Sequence, residues 1–293
     1  MEYQQFLFTI TAGLQSSYSA DQKISVQTTE QKHTAKIKTV SLYHGGKRVT
    51  PLIYMAPFYR MHQHGYSMES IQSELKNVLD MTTENDKIKG EVFIDFSSAA
   101  TCLSVRLIPY KKNQNFLKLV PHRRILDFAV VYQLVFEESE KVMGAAVVYQ
   151  DHCRIWDVTE DILFQTAISS MIKRFPPAFN SVEELIGMPS AAESLDFPHL
   201  FALTNNRCFF GASVILYPGV LRQMAKKLGG AYYILPSSVH EVLLLAKDDD
   251  DTIPKELQTI VREVNLTEAV STDFLSDHVY LYEPEKDEVS IVV

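Results

Sequence analysis

The densest polar run between two apolar stretches is Pro236-Ser237-Ser238-Val239-His240-Glu241, which holds the parts of a nucleophilic site. In such a site a histidine takes the hydroxyl proton and an acid orients the histidine. Ser238, His240 and Glu241, with Asp277 as a second acid, are therefore the candidate catalytic residues. Their spacing favours a structural turn. Neighbours on one strand rarely converge on a third atom, and no Gly-x-Ser-x-Gly elbow surrounds either serine. Serine hydroxyls in turns commonly bond backbone groups close by. His240 and Glu241, adjacent on an extended chain, should point to opposite faces, which leaves His240 to fix the turn by hydrogen bonding.

Metal chemistry has weaker leads. His62 and His64 alternate in Arg-Met-His-Gln-His and would face one way on an extended segment, but zinc needs three or four ligands and no matching acid or cysteine follows. The run Asp248 to Asp251 lacks the glycine and distal glutamate of a calcium loop and suits a solvated turn before a helix. Glycines 45, 46, 229 and 230 suit turns and a helix end, not a phosphate loop. Cys102, Cys153 and Cys208 are odd in number and far apart, as expected for reduced, buried thiols. Neither a metal nor a cofactor is expected.

The elements that position these groups follow from periodicity. Phe6, Leu7, Ile10 and Leu14 predict a short amphipathic helix, and Ser67 caps a second one with Ile71, Leu75, Val78 and Leu79 inward. Between them, Lys23 to Tyr43 reads as a hairpin followed by a Gly-Gly turn. The segments CLSVRLIPY, ILDFAVVYQLVFEE and VMGAAVVYQ read as strands covered on both faces. Trp156 is expected in the core ahead of a helix capped by Thr159, with Leu163, Ala167 and Met171 buried. The proline- and serine-rich stretch 176–198 reads as an interdomain connection. Beyond it lie a strand at LFALT, a helix from Ser213 to Leu228, strands AYYIL and EVLLLA, a helix from Pro254 with Leu257, Ile260, Val261 and Val264 on one stripe, and a strand at VYLYE.

The expected fold class is α+β: a mixed sheet and helix domain over 1–177, then a βαββαβ ferredoxin-like domain over 195–293. A formal charge of -8, from 36 acidic and 28 basic residues, disfavours nucleic acid. The one basic cluster, Lys111, Lys112, His122, Arg123 and Arg124, reads as a solvated turn and strand edge. No apolar run is long enough to cross a bilayer and the first residues lack a basic region, so a cytoplasmic protein without membrane association is expected.

The runs LTNNRCFFGASVILYPGVLRQMAKKLGGAYYILPSSVHEVLLL and EVNLTEAVSTDFLSDHVYLYE resemble a bacterial family known only as a domain of unknown function. The resemblance extends upstream through PLIYMAPFYRMHQHG and VPHRRILDFAVVYQLVF. A second uncharacterised bacterial family is more distantly similar in its order of hairpin, tryptophan-led helix and C-terminal strand, histidine and acid. After Trp156 this chain departs from the pattern, with Ser170 and Met171 in place of an Asn-Thr pair. Neither resemblance implies an activity. Two readings remain: a non-enzymatic interaction or regulatory module, with a protein partner or a second copy of the chain, and a hydrolase or transferase using His240 with a nearby acid.

Overall fold

A computed structural model describes residues 1–31, 34–83, 92–137, 143–182, 200–247, 253–267 and 273–293. Helix α1 (Tyr3–Gln15) buries Phe6, Leu7, Ile10 and Leu14, the four residues its spacing selects. Strands β1 (Gln22–Gln31) and β2 (Thr34–His44) form the expected hairpin, with Val26 opposite Val40 and Ile24 opposite Leu42. Gly45 and Gly46, both at positive φ, turn β2 into the short β3 (Lys47–Arg48), and β4 (Ile53–Tyr54) also pairs with β2. Pro57 lies in the first turn of α2 (Ala56–Gln63), so the histidine pair predicted on an extended segment instead falls on a helix end, His62 in its last turn and His64 at its C-cap. Ser67 accepts from the Ser70 amide ahead of α3 (Met68–Thr83), which buries Ile71, Leu75, Val78 and Leu79 as expected.

Asp95 caps the short α4 (Phe96–Ala100), and β5 (Leu103–Pro109) follows. After α5 (Gln114–Leu117), β6 (His122–Ile125) and β7 (Phe128–Glu137) make a tight hairpin around Leu126 at φ 54° and Asp127. β8 (Met143–Val147) pairs antiparallel with the second half of β7. Trp156, expected in the core ahead of a helix, is buried there and also ends a helix of its own, α6 (Gln150–Trp156), which Asp157 closes in the left-handed region. Helix α7 (Glu160–Arg174) carries Leu163, Ala167 and Met171 inward.

The chain divides into two compact units. The first comprises 1–104, 115–121 and 132–167, and the second comprises 105–114, 122–131 and 168–293. Within the proline-rich stretch, Pro177–Ser181 forms strand β9, and 183–199 lie outside the described residues, as does the Asp248 to Asp251 run. The second unit continues with β10 (Leu200–Asn205), a 3-10 segment (Gly211–Leu216), α8 (Val220–Leu228), β11 (Tyr232–Pro236), β12 (Val242–Ala246), α9 (Ile253–Thr267), β13 (Tyr280–Glu283) and β14 (Glu288–Ile291). The helix predicted from Ser213 to Leu228 is thus broken, because Pro218 cannot donate to the helical ladder and Gly219 sits at φ 77°.

The unit's sheet runs β14-β13-β11-β12-β10-β9, with every neighbour pair antiparallel. The expected βαββαβ order of elements is present, but the strand order is not that of a ferredoxin-like sandwich. There the last strand lies beside the first. Here β13 lies beside β11, and β9 takes the place next to β10. Two crossovers, β10-α8-β11 and β12-α9-β13, each skip one strand in the same lateral direction, starting from oppositely directed strands. Right-handed connections then require the two helices to cover opposite faces. The packing agrees. Leu257 and Val261 of α9 join Tyr233, Leu235, Leu245 and Val279 in one cluster, whereas Tyr232, on the other face of β11, donates its hydroxyl to the Leu221 carbonyl of α8. This two-sided cover explains why every residue of β11 is buried. Ile260, expected on the buried stripe of α9, is 53% exposed.

Candidate functional site

The Ser-Ser-Val-His-Glu segment joins β11 to β12 in the second unit and its polar atoms are spent on the backbone. Ser238 Oγ accepts from the His240 amide at 3.0 Å, and the Ser238 amide donates to the Glu241 carbonyl. Ser237 Oγ lies 3.5 Å from a Glu241 carboxylate oxygen. His240 Nδ1 accepts from the Phe210 amide at 3.1 Å, its ring stacks on Phe210, and its carbonyl accepts from Thr204 Oγ1. An Nδ1 that accepts an amide proton leaves the ring proton on Nε2 in the neutral form. The lone pair a general base would use is already engaged. Asp273, not Asp277 or Glu241, is the acid beside Nε2, at 3.9 Å. Asp277 accepts from Asn265 Nδ2 of α9 instead. The four candidate residues therefore do not converge.

A different set does converge in the same unit. Ser276, His278 and Tyr280 alternate along the extended run that becomes β13, which places them on one face. All three reach Asp127 in the β6–β7 turn. Tyr280 donates its hydroxyl to Asp127 Oδ1 at 2.5 Å, Ser276 donates to Oδ2 at 2.9 Å, and His278 Nδ1 lies 2.9 Å from Oδ2. Burial pushes the Asp127 carboxyl up, but the hydrogen bonds from Tyr280, His278 and Ser276 outweigh it and hold the carboxyl below its usual range. An ionised carboxylate only accepts, so His278 carries its proton on Nδ1 and keeps the Nε2 lone pair. Burial raises the Tyr280 phenol well above the usual tyrosine range, and its bond to Asp127 adds to the shift.

Accessibility limits the chemistry. Ser276 and Tyr280 are buried, and Ser276 Oγ approaches the Nδ1 side of His278, 3.3 Å away, not the Nε2 side from which a nucleophile is activated. His278, 40% exposed, is the most accessible member of the cluster, ahead of Asp127 at 20%. Beneath the cluster, Tyr280 and Phe128 line a cavity of about 70 Å³ whose other walls include Ile234, Leu221, Leu107 and Val242. It is apolar throughout and suits a dry void more than a polar substrate. Asp277, the acid expected at the site from the Ser-Asp-His-Val-Tyr run, is not part of this set and accepts from Asn265 instead. The alternation of Ser276, His278 and Tyr280 was the available signal.

The metal leads remain separate. His62 stacks on Phe6, and His64 Nδ1 pairs with the Arg60 carbonyl. Among the described residues no group of three histidines, cysteines or acids could hold a metal ion. None of the three cysteines forms a disulfide; expected to be buried, Cys102 and Cys153 are half-buried and Cys208 is exposed on a turn. Burial pushes the Cys153 thiol up to about 11. No described helix is long and apolar enough to cross a membrane.

A family model described as DUF5688, a family of unknown function, matches residues 3–284. No curated protein and no solved structure matches the chain. The chain belongs to DUF5688.

Proposed function

We propose that this member of the family is a non-enzymatic interaction or regulatory module of the cytoplasm that engages a protein partner or a second copy of itself, not nucleic acid. The observation that carries the reading is the state of His240. Its Nδ1 lone pair holds the Phe210 amide and its neighbouring serine holds the His240 amide, so the strongest catalytic motif of the sequence acts as a turn brace. The terminal positions of β9 and β14 in the six-stranded sheet support an interaction role, since among the described residues each has one strand neighbour and an edge strand can add a partner strand.

A second reading has one specific observation in its favour. The Asp127–His278 pair, with Nε2 unspent, has the form of an oriented general base for a hydrolase or transferase. The test is to screen the wild type, His240→Ala and His278→Ala against ester, phosphoester and peptide substrates, with thermal unfolding measured in parallel. The module reading expects no turnover by the wild type and a lowered unfolding midpoint for His240→Ala. Turnover that His278→Ala abolishes without moving the midpoint would establish the second reading in its place.

A further inference from the structure

In the first unit, Asp151 of α6 has a carboxylate only 4% exposed, and both of its oxygens are taken by arginines. Arg60 of α2 bonds Oδ2 through Nε at 2.6 Å, and Arg154, one turn along α6, bonds Oδ1 through Nη1 at 2.8 Å. A guanidinium has five N–H donors, so each arginine keeps most of its hydrogen-bonding capacity after this contact. Among the described residues no other acceptor holds these donors, and the two side chains are 40% and 63% exposed. Because they share one carboxylate, the two bonded nitrogens lie within about 8 Å of each other, close enough for one small oxyanion to meet both forks.

Charge selects the ligand. Two guanidiniums against one carboxylate leave a local charge of about +1. That excess is matched by one further negative charge, on a chain whose overall charge is -8. Two phenols stand near the same groups. Tyr54 is half-buried; burial raises its pKa, Asp151 adds to the shift, and Arg60 and Arg154 oppose it. Tyr3, also half-buried, senses Tyr54 and Asp151. Both hydroxyls are protonated at neutral pH and are further donors for an anion.

We infer that Arg60 and Arg154, held side by side on the buried Asp151, form a binding site for a singly charged carboxylate. The site is independent of whether the chain is a module or an enzyme. Trp156 reports on it, being the only tryptophan, on the same helix, and stacked on His152 next to Asp151. The experiment titrates the full chain with sodium acetate at constant ionic strength, against sodium chloride and methyl phosphate, and reads Trp156 fluorescence. Acetate is expected to give a saturable change that chloride does not, and Arg154→Gln is expected to weaken the apparent Kd by about tenfold or more at an unchanged unfolding midpoint. Should Arg154→Gln not fold, Arg154→Lys, which keeps the charge but loses the fork, is expected to show a loss in the same direction. No saturable response, an equal response to chloride, or unchanged acetate binding in the folded variant overturns the site. Methyl phosphate binding more tightly than acetate overturns the carboxylate assignment.

Discussion

Lowering the pH should destabilise the first unit through His152. This residue is 3% exposed, stacks against Trp156, and is surrounded by the rings of Tyr54, Phe93 and Tyr149. Its Nδ1 accepts from the Tyr149 amide at 2.9 Å. Burial pushes its pKa down to about 4, with the neighbouring Asp151 carboxylate opposing the shift. The unfolded chain takes up a proton near the ordinary histidine value of about 6.5, whereas the folded chain stays neutral until about pH 4. Between those values the unfolded state binds more protons, so stability falls as pH falls. A displacement of about 2.5 pH units corresponds to about 3 kcal/mol over the whole window, of which about 2 kcal/mol is lost by pH 5. That is a large share of the roughly 5–15 kcal/mol that holds a typical domain together. The assay is urea denaturation at pH 7 and pH 5 of the wild type and of His152→Asn, which keeps an acceptor for the Tyr149 amide. The wild type should be the more stable at pH 7, and its advantage should shrink by about 2 kcal/mol at pH 5, because the variant lacks the titrating ring. An identical pH dependence for the two proteins, or an NMR titration of folded His152 between pH 6 and 7, would refute the reasoning.

Asp127→Asn removes the charge that Tyr280, Ser276 and His278 address, and should cost about 1–3 kcal/mol at pH 7. Because the folded pKa of Asp127 is lowered, its contribution is present above the ordinary carboxylate range and is lost as pH falls through the folded value, so stability curves of wild type and variant should converge at acid pH in urea titrations. A Cβ on Gly211 would stand 2.4 Å from the His240 carbonyl oxygen and 2.0 Å from Thr204 Oγ1, so Gly211→Ala should destabilise by about 1–3 kcal/mol in thermal unfolding. Tyr217 donates its buried hydroxyl to the Phe175 carbonyl at 3.0 Å; Tyr217→Phe should therefore cost about 1 kcal/mol, measured by the shift in denaturation midpoint.

Local periodicity carried the helices and most strands. Phe6, Ile10 and Leu14 mark the buried face of α1, Ile71, Leu75 and Leu79 that of α3, and Gly45-Gly46 the turn after β2, because each signal depends on residues within about two helical turns of one another. The same logic overreached where tertiary context intervened. Ile260 fits the stripe of α9 yet faces solvent, and Pro218-Gly219 split a helix that periodicity alone would continue. Strand β14 is not among the expected strands: Val289 and Ile291 alternate with Glu288 and Ser290, but a run of four residues holds only one repeat of that pattern.

The polar run around His240 was enough to place a turn. Only the tertiary structure supplied Asp127, which is 151 residues from His278 and becomes its partner through the β6–β7 turn. It also decided that β13 lies beside β11, so that α8 and α9 cover opposite faces of one sheet. The physical reason is common to both. Side-chain pattern fixes which face of an element is buried, but the backbone groups that join strands are the same at every residue, so partners distant in sequence are chosen by how the whole set of buried faces can be packed at once.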